Sequence, residues 1–251
     1  NQGMLVAEPA PARDSEKVFF TSTDGLALRG WLHLPAAQLP PVVIGCHGLF
    51  SSGDSPKQQT LAQSCNRHGI AFLRFDHRGC GASDGDFKAV TSLAGRALDL
   101  AAATAMLAAR ADLAPRIGLF GSSMGGAVCL AMAVRLKARA VVTLAAPVRS
   151  QPVLAAIASS AERERVAALL DPENLHFDIS AQLDGVHSLL LFHGDADAVV
   201  PVASAREIYG RAGDPKAMRI FPRGDHRMSA ARDQALFQQE AADWFARHLL
   251  G

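Results

Sequence analysis

RIGLFGSSMGGA, residues 116–127, ends an apolar strand in Gly121-Ser122-Ser123-Met124-Gly125 and passes straight into a helical stretch. The pentapeptide is spelled G-x-S-x-G, the nucleophile elbow, in which a serine stands at the tip of a sharp strand-to-helix turn. That turn strains the backbone of the serine, and glycines two residues to either side leave room for the crowding. Five residues alone are weak evidence, so the flanks carry the inference. Ile117, Leu119 and Phe120 supply the strand; Ala127, Val128, Leu130, Ala131 and Val134 supply a helix-length apolar stretch with no breaker until after Arg139. Ser123 is the candidate nucleophile.

Working outward, VFFTST (18–23) and LALRGWLHLP (26–35) flank Asp24-Gly25 and predict an antiparallel hairpin. From Val42 the pattern becomes continuous apolar strands alternating with helical stretches. PVVIGCHG leads to a helix near 55–68; IAFLRFD leads to one at 93–110; the nucleophile strand leads to 125–136. AVVTLAA, SLLLFHGD and AMRIF follow, with helices expected near 202–211 and from about 232. Strands buried on both faces and alternating with helices predict a mostly parallel sheet of the α/β class, covered on both sides. The stretch 148–187, between two strands, is too long for a plain crossover and too short for a domain of its own. It reads as a crossover helix with a short cap inserted after the sixth strand. Residues 1–17 read as a flexible leader, in which Asn1-Gln2-Gly3 ahead of Met4 has the look of a tag remnant, and 18–251 as one domain.

Composition excludes several classes. With 25 basic and 24 acidic residues interspersed, nucleic acid and anionic membrane surfaces are unexpected partners. The longest apolar runs are strand length, so no membrane span is expected. Cys46, Cys65, Cys80 and Cys129 form no C-x-x-C and no cluster at metal-ligand spacing, which predicts neither a metal nor a disulfide framework. Buried free thiols favour a reducing compartment, and the leader lacks the basic-then-apolar layout of a secretory signal, so a cytoplasmic location is expected. Gly48 to Gly53 resembles part of a phosphate loop, but Asp54 stands where its lysine belongs, and no G-x-G-x-x-G follows a strand. No cofactor is expected.

A serine attacks only when a neighbouring base takes its proton, and the base needs a carboxylate to orient it. On this topology the chain order is serine, acid, histidine. Only His226 and His248 follow the candidate acid region. His248 sits in a terminal amphipathic helix, where a solvated or edge histidine is the ordinary reading, whereas His226 lies in Arg223-Gly224-Asp225-His226 just past a strand end. Asp195 and Asp197 both stand at the end of LLLFHG, and composition does not choose between them. Stabilising an oxyanion takes two backbone N–H groups: Met124 follows the nucleophile, and Leu49 follows the strand that ends in His47-Gly48. His47 and Asp76-His77-Arg78 close neighbouring strands and read as structural polar groups around the pocket floor. Leu49, Phe50, Met124, Phe177 and Met228 are the candidate pocket residues.

With HGLFSSGDS (47–55), FDHRGCGASDG (75–85), GSSMG (121–125), HGDADAVVP (193–201) and GDH (224–226), the chain resembles the α/β-hydrolase superfamily from about residue 18 to 250. The resemblance implies an eight-stranded sheet and assigns the acid: in G-x-x-D-x-x-V-P, the carboxylate falls on Asp197. The loops are similar to those of small bacterial carboxylesterases of the cinnamoyl-esterase type and of serine aminopeptidase-like hydrolases, with Cys80 departing from the histidine usual there. The implied activity is hydrolysis of a small-molecule carboxylic ester of a short to medium or aromatic acid, by a monomer or homodimer. Amidase, peptidase or thioesterase action on the same residues, and a non-catalytic binding protein on the same fold, are the competing expectations.

Overall fold

The computed structural model describes residues 15–161 and 163–251. The sheet has eight strands in the order β1-β2-β4-β3-β5-β6-β7-β8. β1 (Glu16–Thr21) and β2 (Ala27–His33) form the expected hairpin, with Val18 opposite Gly30 and Phe20 opposite Leu28. Buried and exposed side chains alternate along β1, with Val18 and Phe20 inward and Lys17, Phe19 and Thr21 outward, as a half-covered edge strand requires. The leader expected over 1–17 lies outside the described residues except for its last three, of which Glu16 and Lys17 are already strand.

β2 pairs antiparallel with β4 (Ala71–Asp76). All further pairings, through β3 (Val42–Cys46), β5 (Ile117–Ser122), β6 (Ala140–Leu144), β7 (Leu189–Gly194) and β8 (Lys216–Phe221), are parallel. β3, β4, β6 and β7 are buried at every residue, because helices cover both faces. On one face α1 (Pro56–Arg67) and α8 (Ala231–Leu249) pack Leu61, Phe237 and Phe245 against Phe72, Phe120 and Phe192. On the other, α3 (Leu93–Ala108), α4 (Met124–Met132) and α7 (Ala203–Arg211) bury Leu100, Leu130 and Ile208. A one-turn helix, α2 (Phe87–Val90), precedes α3.

After β3 the chain moves outward to β4 and then returns to the other side of β3 as β5, so the loops leaving β3 and β5 diverge. That divergence opens a crevice at the carboxyl ends of the strands, the usual ligand site of open α/β sheets. The 148–187 stretch holds more helix than the single crossover expected. It contains α5 (Gln151–Ser159) and α6 (Arg163–Leu169), then two 3-10 turns at Glu173–Leu175 and Ser180–Gly185. The insert leaves and rejoins at a pinch, where Ser150 N–H donates to Phe177 O at 3.1 Å and Phe177 N–H to Ser150 Oγ at 3.0 Å. Arg149 ties the same neck to Asp178 at 3.0 Å and to Glu207 of α7 at 2.8 Å.

Candidate active site

Ser123 takes φ +52° and ψ −121°, a left-handed backbone that a side-chain-bearing residue adopts only when its surroundings enforce it. The enforcement is visible. Ser123 N–H donates to Leu144 O at 2.8 Å, and its carbonyl accepts from Gly126 N–H at 2.8 Å as α4 begins. A Cβ on Gly121 would stand 2.3 Å from Gly125 O, and one on Gly125 would stand 2.1 Å from Cys46 O. Only glycine lets the start of α4 lie this close to β3.

The loop after β8 brings His226 to the serine. Ser123 Oγ lies 3.1 Å from His226 Nε2, and His226 Nδ1 lies 2.7 Å from Asp197 Oδ2. The second carboxylate oxygen of Asp197 accepts the N–H groups of Val199 and Val200, each at 2.8 Å. A carboxylate only accepts, so His226 carries its hydrogen on Nδ1 and presents a lone pair to the Ser123 hydroxyl. Burial alone would raise the Asp197 pKa. The hydrogen bonds from His193 and His226, the His226 charge and the Val200 N–H outweigh it and hold the carboxyl well below the ordinary carboxylate range.

The structure distinguishes the two aspartates that composition leaves open. Asp195 turns its Oδ1 to Arg223 N–H at 2.5 Å and braces the β8 loop, whereas Asp197 reaches the imidazole. Asp225 stiffens the same loop by accepting Ser229 N–H at 2.7 Å and Ser229 Oγ at 2.6 Å. His248 lies away from this row, against Trp244 on α8 with ring centroids 4.5 Å apart. His193, which sequence reasoning passes over, is buried behind the acid with Nε2 at 2.8 Å from Val200 O and 3.4 Å from Asp197 Oδ2. Its only signal is its place in the HGDAD run.

Of the two candidate N–H donors, Met124 is the first residue of α4, where a helix N–H has no intrahelical acceptor. Leu49 N–H meets no protein acceptor among the described residues. The loop carrying it passes close by: a Cβ on Gly48 would be 3.7 Å from Ser123 Cβ. Asp76 ties that loop to the next, accepting Gly53 N–H at 2.8 Å and Ala82 N–H at 2.9 Å. His77 and Arg78 share the buried Asp99, at 3.1 and 2.8 Å.

A slot of about 20 Å³ opens beside Ser123, walled by Leu49, Met124, Pro147, Leu154, Leu175 and Phe177 among others. Phe177 of the candidate pocket set is in this wall. Phe50 is not; it is 54% exposed, with its ring 6.0 Å from that of Phe87. Met228, 2% exposed, turns at φ +53° into the layer beneath α8. Leu154, Leu175 and Pro147 come from the insert and its approach, whose path local sequence does not reveal. Leu154 also lines a wider apolar cleft of about 570 Å³ between α5 and α6, with Ile157, Val166 and Leu170. All four cysteines are buried and unpaired. Among the described residues no cluster of side chains suits a metal ion, and no described helix is long and apolar enough to cross a membrane.

A mostly parallel sheet of this strand order, with a strained serine at the β5–α4 turn and a histidine after β8, defines an α/β hydrolase. The profile of the family described as serine aminopeptidase, S33, matches residues 38–181, and the chain belongs to that family. The uncharacterized protein Rv2307c of Mycobacterium tuberculosis is 30% identical over 229 residues, which covers 88% of this chain and 77% of the relative. Among solved structures, the Pyrococcus furiosus esterase Pf2001 superposes with a TM-score of 0.79 at 21% identity, covering 94% of this chain and 92% of that one. Est1E of Butyrivibrio proteoclasticus, solved with ferulic acid bound, superposes with a TM-score of 0.76 at 19% identity, covering 93% and 100%. At these identities the two structures speak to the fold.

Proposed function

We propose that this hydrolase cleaves carboxylic esters through an acyl-enzyme. The observation that carries the reading is the unbroken row of hydrogen bonds from Ser123 Oγ through His226 to the buried Asp197, at 3.1 and 2.7 Å. Ser123 attacks the carbonyl carbon as His226 Nε2 takes the hydroxyl proton; Asp197 holds the ring and stabilises the imidazolium that forms. The N–H groups of Leu49 and Met124 receive the oxyanion. His226 then returns its proton to the leaving alcohol, and water repeats the sequence on the acyl-enzyme.

The apolar walls of the slot and of the cleft beyond Leu154 favour an acyl group without charge, of short to medium length or aromatic. The ferulic acid complex of Est1E is in keeping with an aromatic acid on this fold. In this reading the insert from about 148 to 187 acts as a cap on one domain beginning near residue 18. Turnover of matched p-nitrophenyl esters, thioesters and anilides tests the proposal. Esters are expected to be the best substrates; faster cleavage of anilides would move the assignment to an amidase, and no turnover of any class would contradict it.

A further inference from the structure

Arg96 of α3 is fully buried, yet none of its contacts among the described residues is with a carboxylate. Its Nη1 donates to the carbonyl oxygens of His47 and Gly48, both at 3.2 Å, and its Nη2 to Leu49 O at 3.1 Å and Cys80 Sγ at 3.6 Å. Nε has no acceptor. The nearby Asp99 acts on Arg96 through its charge, but its oxygens are taken up by His77 and Arg78. Burying a guanidinium with no carboxylate hydrogen-bonded to it is expensive, and packing alone is served as well by a neutral side chain. One cation therefore gathers three successive carbonyls of the loop that flanks Ser123.

A trans peptide is planar, so its C=O and the following N–H point in opposite directions. Holding the Gly48 carbonyl thus holds the Leu49 N–H. That carbonyl is gripped twice, because His47 Nδ1 also reaches it, at 2.8 Å. His47 Nε2 accepts His77 N–H at 3.0 Å, which leaves the ring hydrogen on Nδ1, where it donates to Gly48 O. A positive charge on the carbonyl side also polarises the peptide and strengthens its N–H as a donor.

We propose that Arg96 is the positioning residue of the oxyanion hole: by drawing the His47, Gly48 and Leu49 carbonyls onto one guanidinium, it turns the Leu49 N–H towards the oxyanion at Ser123. The inference rests on the proposed esterase reading and assigns Arg96 a task beyond filling the core. It is tested with Arg96→Lys, which keeps the charge but cannot span three carbonyls, and with Arg96→Gln.

Each variant is assayed on an ester and on its thiono analogue, in which sulfur, larger and a poorer acceptor, replaces the carbonyl oxygen. Sites are counted by titration with a fluorophosphonate, and folding is checked by thermal melting. Turnover of the oxo ester is expected to fall on the order of 10²- to 10³-fold, as for loss of one oxyanion donor. The thiono ester should lose far less, with KM little changed. Equal proportional losses on both substrates, or no loss in a folded variant, would overturn the proposal.

Should neither variant fold, His47→Gln withdraws the imidazole donor from the same Gly48 carbonyl and must show the same oxo-selective loss. If the wild-type chain hydrolyses no ester, the esterase reading itself fails and takes this inference with it, an outcome visible before any Arg96 variant is made.

Discussion

Asp197→Asn is the substitution that separates orientation from mere presence of the row. The side chain is nearly isosteric, and its amide oxygen can still accept the Val199 and Val200 N–H groups, now at 2.8 Å from the carboxylate. What changes lies 2.7 Å away, at His226 Nδ1. There the amide presents N–H, so the imidazole must turn its lone pair to it and carry the hydrogen on Nε2. A protonated Nε2 cannot take the Ser123 proton. The expected loss in kcat is on the order of 10⁴-fold, or about 5 kcal/mol of transition-state stabilisation. The assay is steady-state hydrolysis of an activated ester, alongside thermal melting from pH 3 to 8.

The same variant carries a stability signature. The folded pKa of Asp197 is depressed, so its carboxylate stabilises the fold above the unfolded value near 3.9, and that contribution fades as pH falls through the folded value. The gap in melting temperature between the wild type and Asp197→Asn should therefore narrow as pH drops below about 4. A folded variant that keeps wild-type turnover would refute the orienting role and return Asp195 to consideration.

Further outcomes follow from the elbow and the insert. Gly125→Ala places a methyl group 2.1 Å from Cys46 O, a backbone atom that cannot swing aside; melting temperature and fluorophosphonate labelling should both fall sharply, and a stable, fully labelled variant would show that the α4–β3 approach is looser than described. Leu154 lines both the slot at Ser123 and the cleft between α5 and α6, so Leu154→Trp fills space in both. Turnover of p-nitrophenyl decanoate should drop well below that of the acetate, whereas equal loss at every chain length would place the acyl group elsewhere.

Much of this was legible in the chain because its signals are local. The elbow depends on glycines at fixed offsets from Ser123, and the central strands are apolar runs because both of their faces are covered. Asp197 and His226 stand at strand ends, where topology restricts the choices to a few side chains. What escaped depends on tertiary paths. Met228 follows His226 by two residues, yet a backbone at φ +53° turns it into the core, and Phe50 projects away from the slot that its neighbour Leu49 lines. The helices of the insert are short, and their course is set by the pinch at Arg149, Ser150 and Phe177 rather than by their own periodicity. Nothing local in the sequence marks Arg96 and Asp99; both are fully buried because the 47–49 loop and the turn after β4 supply their partners.

The proposed chemistry requires Ser123 to be an activated nucleophile. Intact mass after exposure to a fluorophosphonate tests it most directly, with the native chain compared against Ser123→Ala. One phosphonyl adduct is expected on the native protein and none on the folded variant. An adduct that persists in Ser123→Ala, or a folded native chain that takes none, would contradict it.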